Sequence, residues 1–342
     1  MDLSIIIPFF NSENYILQCI TSITNQNLPI KDYEIILIND GSTDMSNKIV
    51  SQLIDKFSNI KLITQKNSGL SASRNKGLSL SQGNYIFFMD SDDYLALNTL
   101  SHLLKIVDKN DLDMLEFSYT QTKLRDIYNT HKALKDVKFE VLEGKDYIAT
   151  RNYLDYVWVY LYRRSFLLNS KVKFIEGKIM EDTLFNAELI PKAKRIAYYP
   201  LDVVRYVDNP NSLTNDKKYE AKKKMINDHV FMAVKYSDLI KKLNLERINT
   251  KVLKRKQQYI IFSILKNLLD NNFKFHEINP ILSTLTEQNL YPLKPIESKS
   301  PYKKLISIIV KNKYTFFIFF KFYRKIMQKP MIALQKIYHR SI

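Results

Sequence analysis

Asp90-Ser91-Asp92-Asp93 sets three carboxylates within four residues, directly after the apolar run Tyr85-Ile86-Phe87-Phe88-Met89. Carboxylates this close repel one another unless a cation or a bound ligand compensates them. Hard oxygen donors suit Mg2+ or Mn2+, which typically bridges one or two carboxylates to the oxygens of a diphosphate. The plainer reading is an acidic helix start, favoured by the helix dipole. Placement at the end of an apolar strand favours the metal.

Two further segments carry polar groups behind apolar runs. Asn39-Asp40-Gly41-Ser42-Thr43-Asp44 offers Asp40 as an acceptor for the N–H of a base, with Gly41 letting backbone approach a ligand. Its alternative is an ordinary Asp-Gly turn in which Asp44 caps a helix. Asn67-Ser68-Gly69-Leu70-Ser71-Ala72-Ser73-Arg74-Asn75 is a small-residue loop opening a helix, and Arg74 has planar donors for a base or a phosphate, or is simply solvated. Further on, Glu181-Asp182 precedes Leu184, Phe185 and Leu189, a second acidic helix start.

The elements that must position these residues follow from periodicity. Leu3–Pro8, Glu34–Ile38, Ile60–Thr64 and Tyr85–Met89 are short apolar runs of buried-strand type, about one helix apart. Between them, Tyr15, Ile16, Cys19, Ile20 and Ile23 recur at helical spacing behind Asn11 and Ser12 as caps, as do Ile49, Val50, Leu53, Ile54 and Phe57 behind Asp44. Fully apolar strands alternating with helices predict a parallel sheet covered on both faces, with ligands at the strands' carboxyl ends. Weaker strands are expected near Met114–Tyr119, Val137–Leu142 and Ala197–Tyr206, and from about Lys217 the chain reads as long, Lys-rich helix.

In order and spacing, Ser-Ile-Ile-Ile-Pro-Phe-Phe-Asn-Ser-Glu, Asn-Asp-Gly-Ser-Thr-Asp, Asn-Ser-Gly-Leu-Ser-Ala-Ser-Arg-Asn and Asp-Ser-Asp-Asp resemble the family 2 glycosyltransferases of GT-A fold. The resemblance implies an α/β fold with a Rossmann-like, mainly parallel central sheet and a helical, basic C-terminal extension. Residues 1–215 would form the catalytic domain, with a nucleotide-binding half at 1–110 and an acceptor half at 111–215; residues 216–342 would form the extension. It further implies a metal-dependent, inverting, non-processive transfer from a UDP-sugar to a glycan or lipid-diphosphate-linked acceptor in surface polysaccharide synthesis. Asp40 and Arg74 would hold the base region, Asp90 and Ser91 the ribose and sugar side, and Asp92 the Mn2+ or Mg2+ under the diphosphate. Pro8, Phe9 and Glu13 would border the nucleotide pocket, Asp182 would be the catalytic base, and the neighbouring Glu181 would belong to the acceptor site. Trp158 and Arg163-Arg164 resemble the segment that shapes the acceptor site, with a common Lys replaced near Tyr160. Arg205-Tyr206 and Asn211-Ser212-Leu213 resemble the loop that closes over the donor.

Charge and composition bound the rest. The net charge of +17 is not evenly spread, since residues 1–100 hold seven Lys/Arg against ten Asp/Glu, whereas 301–342 hold ten Lys/Arg and no acid. A concentrated basic tail predicts docking on an anionic membrane, whose alternative is a solvated helical face. The apolar stretches Leu305–Val310 and Tyr314–Tyr323 are too short to span a bilayer. A nucleic-acid-binding protein is disfavoured because the basic residues lie away from the polar loops. A processive synthase would need membrane spans and a Gln-x-x-Arg-Trp element, yet the one tryptophan is Trp158, preceded by Val157. A nucleotidyltransferase would need a Gly-rich loop earlier than Gly41, the first glycine. One cysteine, Cys19, and a start without a basic, signal-like segment predict a cytoplasmic protein, and the basic tail would place it on the inner face of the membrane. The five histidines show no ligand spacing.

Overall fold

The computed structural model describes residues 1–123, 125–129, 137–209, 218–271 and 273–292. The chain divides into two compact units, Met1–Ser212 and Leu213–Ile342. The expected loop at 211–213 and the basic tail at 301–342 lie outside the described residues.

In the first unit, strands β1 (Leu3–Phe9), β2 (Tyr33–Asn39), β3 (Ile60–Thr64) and β4 (Tyr85–Phe88) alternate with helices α1 (Ile16–Thr24), α2 (Ser46–Ile54) and α3 (Leu70–Leu80). All seven residues of both β1 and β2 are buried, which is why their side chains do not alternate between apolar and polar. These four strands pair in parallel, in the order β3-β2-β1-β4. Their carboxyl ends therefore meet along one edge. Helix α1 begins at Ile16 rather than behind a side-chain cap at Asn11 or Ser12, because those residues are engaged with the neighbouring loop described below.

Beyond β4 the sheet becomes mixed. After β5 (Tyr94–Leu95) and α4 (Leu100–Lys109) come β6 (Met114–Thr122), β7 (Val141–Leu142), α5 (Gly144–Thr150), β8 (Tyr160–Arg163), α6 (Arg164–Ser170), α7 (Glu181–Leu189) and β9 (Ile196–Val207). Strand β8 runs antiparallel between β4 and β6, and β9 lies parallel to β6 and antiparallel to β5 and β7. The expected strand at Val137–Leu142 is only the two residues of β7. Strands β5 and β8 are not apparent from periodicity, being short and, in β8, built from tyrosines.

The antiparallel course of β8 has a functional consequence. It pairs Arg163 with Tyr85, the first residue of β4, and Leu161 with Phe87. Trp158 and Tyr160 thus sit toward the carboxyl end of β4, while Arg163 and Arg164 lie at the amino end. Arg163 is occupied there by Asp111 at 2.7 Å and by the Tyr85 ring, and the Arg164 N–H donates to the Asn84 carbonyl. The arginine pair thus lies at the opposite end of β4 from the loop that carries Asp90, Asp92 and Asp93.

The second unit comprises α8 (Tyr219–Leu245), α9 (Lys251–Asp270) and α10 (Phe275–Glu287). Helices α8 and α9 form an antiparallel hairpin in which the buried Gln257 amide donates to the Ala233 carbonyl at 2.7 Å. Among the described residues, no helix is long and apolar enough to cross a membrane.

Candidate active site

The loops at the carboxyl edge are tied to one another by their own polar groups. Asn11, at φ 51°, accepts the Thr43 N–H through its side-chain oxygen, and its own N–H donates to Ser42 Oγ. The Ser12 N–H donates to Ser46 Oγ, the Glu13 N–H to Asp44 Oδ2, and the Met45 N–H to Glu13 Oε2. Asp44 also accepts the Ser46 N–H at the start of α2, so it anchors that helix as the cap reading predicts. Glu13 is therefore spent joining the first loop to the second. Ser12 Oγ lies 2.8 Å from Ser91 Oγ, which brings the acidic loop after β4 into the same cluster.

Pro8 and Phe9 belong to β1, which runs one residue further than the sequence pattern predicts. Phe9 is consequently a core side chain, and the aromatic left at the edge is Phe10, 48% exposed. Only the backbone of Phe9 borders the loops, its carbonyl accepting the Asp40 N–H.

Asp40 is buried, and its carboxylate holds the third loop in place. Oδ1 accepts from Gln65 Nε2 and the Ser68 N–H, and Oδ2 accepts from the Gly69 N–H, at 2.8 to 2.9 Å. A carboxylate has about four lone-pair positions, and these three contacts among the described residues take three of them. Gly41 adopts φ 81°, and a Cβ there would lie 3.0 Å from the Asn67 backbone nitrogen, so the turn admits no side chain without strain.

Arg74 departs from its expected place at the base. Its guanidinium is 2% exposed, bridging Asp90 Oδ1 at 2.8 Å and Glu181 Oε1 at 2.5 Å, residues 107 positions apart in the latter case. It also lies 5.4 Å from the centroid of Phe174, which stacks on Phe185. The paired Asp90 and Glu181, with Asp182 nearby, hold the guanidinium firmly protonated against the opposing cost of burial. Arg74 thus fastens the first acidic segment to the second. Asn75 adds a two-bond clip, donating to the Phe174 carbonyl and accepting the Phe174 N–H.

The three clustered carboxylates have three different environments. Asp90 is neutralised by Arg74. Asp93 is buried, accepts the Val207 N–H through Oδ1, and has no partner for Oδ2 among the described residues; burial, then the charges of Asp92 and Asp90, push it well above the usual carboxylate range. Asp92 is half-buried, with Asn209 Nδ2 donating to its Oδ2 at 2.8 Å; burial, then Asp90, raise its pKa. A divalent cation would relieve that destabilised charge. Among the described residues no group of three or more His, Cys, Asp or Glu could hold a metal ion, and Asp92 would supply one carboxylate to any cation that bound together with a substrate.

Asp182 stands in the first turn of α7, just after Met180 in the left-handed conformation. Burial pushes its carboxyl up to about 8, the neighbouring Glu181 adding to the shift and Arg74 opposing it. Beside it is an aromatic stack. Trp158 lies between Tyr156 (4.8 Å, 12°) and Tyr206 (5.3 Å, 4°), with Tyr119 edge-on at 4.9 Å. Trp158 itself is buried, and the surface of the stack belongs to Tyr156, 41% exposed. The charge of Asp182 contributes to raising the Tyr156 hydroxyl to about 12, after burial and Tyr119. Where the Lys is replaced, Tyr160 is buried with its hydroxyl 2.9 Å from Glu116, a carboxylate that also accepts from the Tyr147 hydroxyl. Arg205 is wholly buried and donates to the carbonyls of Ile127 and Asn129, so it orders the segment 125–129.

Residues 4–167 match the family described as Glycosyl transferase family 2. The uncharacterized glycosyltransferase EpsJ of Bacillus subtilis (strain 168) is 34% identical over 237 residues, covering 64% of this chain and 68% of EpsJ. The chain belongs to glycosyl transferase family 2. The poly(ribitol-phosphate) beta-glucosyltransferase of Bacillus spizizenii (strain ATCC 23059 / NRRL B-14472 / W23) is 34% identical over 200 residues, 58% of this glycosyltransferase and 31% of that protein. A crystal structure of S. aureus TarS 1-349 in complex with UDP-GlcNAc superposes with a TM-score of 0.59 over 84% of this chain and 80% of TarS 1-349, at 20% identity. The fold is thus the GT-A α/β arrangement with a helical C-terminal extension.

Proposed function

We propose that this glycosyltransferase moves a sugar from a UDP-sugar to a hydroxyl of a glycan or lipid-diphosphate-linked acceptor in surface polysaccharide synthesis, with inversion at the anomeric carbon. The observation that carries this reading is the Arg74 bridge. It joins the segment bearing Asp182 to the segment bearing Asp92, which supports a base and a leaving-group site acting in one reaction.

The remaining acceptor position on Asp40 suits the imide N–H of uracil, and the UDP-GlcNAc bound by the TarS structure supports that donor class. Asp182 takes the proton of the acceptor hydroxyl as its oxygen bonds to the anomeric carbon. The bond from that carbon to the diphosphate oxygen breaks with its electron pair, and UDP departs. Asp92 would hold a Mn2+ or Mg2+, which would supply charge stabilisation to the departing diphosphate when bound. One displacement inverts the centre, with no covalent intermediate on the chain.

Two tests follow from these roles. Incubation with a panel of nucleotide sugars and Mn2+, with the product's anomeric configuration read by NMR, is expected to give inverted product from a UDP-sugar; retention would overturn the displacement. Chelation should abolish transfer and added Mn2+ restore it, whereas Asp92→Asn should stay about a hundredfold slower at saturating Mn2+.

For the acceptor, Tyr156 presents a ring face beside Asp182, and aromatic faces offer broad apolar contact with a polar rim. Tyr156→Ala is expected to raise the acceptor KM about tenfold and leave the donor KM near wild type, as measured by varying each substrate in turn. Equal effects on both would move the stack out of the acceptor site. An anionic membrane surface completes the proposed partners, since a lipid-linked acceptor is presented there.

A further inference from the structure

The turn joining α8 to α9 combines two features that rarely occur together by accident of packing. Residues 241–254 contain five Lys/Arg (Lys241, Lys242, Arg247, Lys251 and Lys254) and one acid, Glu246. All five cations are exposed. In their midst Leu245, the last residue of α8, is 86% exposed, well beyond the other exposed large apolar side chains of the described residues. The turn is firmly built: Leu243, Ile248 and Leu253 are buried beneath it, and Thr250 Oγ1 donates to Asn244 Oδ1 at 2.7 Å. The leucine is therefore held outward by a packed hairpin.

We infer that this hairpin tip docks on an anionic lipid bilayer, with the cations at the phosphate headgroups and Leu245 inserted just beneath them. Charge complementarity selects an anionic partner, and the four lysines are point charges suited to mobile headgroups rather than to a fixed bidentate geometry. The projecting leucine selects lipid over a soluble polyanion, which would offer it no apolar contact. A protein partner would be expected to meet an aromatic or apolar cluster rather than one leucine ringed by lysines. The inference deepens the membrane-surface reading by giving it a described site. It is independent of the residues assigned to catalysis.

The test uses the full chain and flotation with vesicles of phosphatidylcholine, with and without phosphatidylglycerol. Wild type is expected to float only with phosphatidylglycerol present. Each cation near a membrane contributes about fivefold, so Lys241→Gln/Lys242→Gln/Lys251→Gln should weaken partitioning about a hundredfold. Leu245→Ser should weaken it about tenfold. All four positions are exposed, so melting temperature and turnover of donor with a soluble acceptor should stay at wild-type values; loss of turnover in wild type itself would count against the catalytic reading instead. Flotation of the triple variant at the wild-type level would overturn the inference. So would an unaffected Leu245→Ser variant whose parent is stripped from vesicles by inorganic polyphosphate, because the tip would then recognise a soluble polyanion.

Discussion

Asp182→Asn is expected to slow sugar transfer by about a thousandfold while leaving donor affinity within about twofold of wild type. The amide keeps the size of the side chain but cannot accept the proton of an acceptor hydroxyl. Donor affinity, read by titration with the nucleotide sugar, tests whether the donor-binding groups survive. An active Asp182→Asn variant would remove the base assignment. The wild-type enzyme should show a matching pH profile. The base form of Asp182 exists above its pKa of about 8, so kcat/KM is expected to climb as pH rises toward 8 and then to level off.

The same carboxyl should cost stability, and the sign is fixed by its direction of shift. A carboxyl raised in the folded state binds its proton more tightly there than in the unfolded chain, which titrates near 4. Folding is unaffected by this group below about pH 4 and is progressively weakened as pH rises from there to about 8. Asp182→Asn removes that penalty. At pH 8 the variant should therefore melt at a higher temperature than wild type, with the difference vanishing in acid. An inactive variant that is also more stable separates a catalytic loss from a folding defect.

How much of this could be read in the sequence depended on whether the signal was local. β1, β2 and β4 are legible because strands buried on both faces are continuous apolar runs, β3 is legible as a short, mostly apolar run at the sheet's edge, and the carboxyl-end loops carry Asp40, Asp90 and Asp92 in view. β8 was hidden because Tyr160 and Tyr162 are buried with hydroxyls satisfied by Glu116 and Asn186, partners available only after folding. Phe9 is a core residue rather than a pocket border because β1 continues past Pro8, and a proline is unusual inside a central strand and reads as a strand end. The different fates of Asp90, Asp92 and Asp93 were illegible in principle, since each is decided by a distant partner: Arg74, Asn209 and the Val207 backbone. Tyr156 had a local signal that periodicity did not weigh, its position two residues before Trp158 at the entrance to the 3-10 turn Val157–Val159 that leads into β8.

The distant partner with the largest expected effect is Arg74. Arg74→Met would keep most of the side chain's length and apolar contact with Phe174 while deleting the charge between Asp90 and Glu181. Two carboxylates would be left facing each other, one of them buried, and removing one partner from such a buried pair typically costs about 3–5 kcal/mol. For a unit of this size that is a fall in melting temperature of about 10 °C, read by calorimetry or thermal shift. Stability alone would not separate a bridge from an ordinary buried arginine, but the second variant does. Adding Glu181→Gln to Arg74→Met removes one of the stranded charges, so the double variant should recover about half of the lost stability even though it carries one more substitution. Additive losses in the two variants would mean that Arg74 and Glu181 do not depend on each other. Activity should not recover in parallel, because neutralising Glu181 restores the fold around α7 without restoring the link that holds Asp182 across from Asp92. A stable double variant that still transfers sugar slowly would mark Arg74 as the residue through which the two halves of the site are held in register.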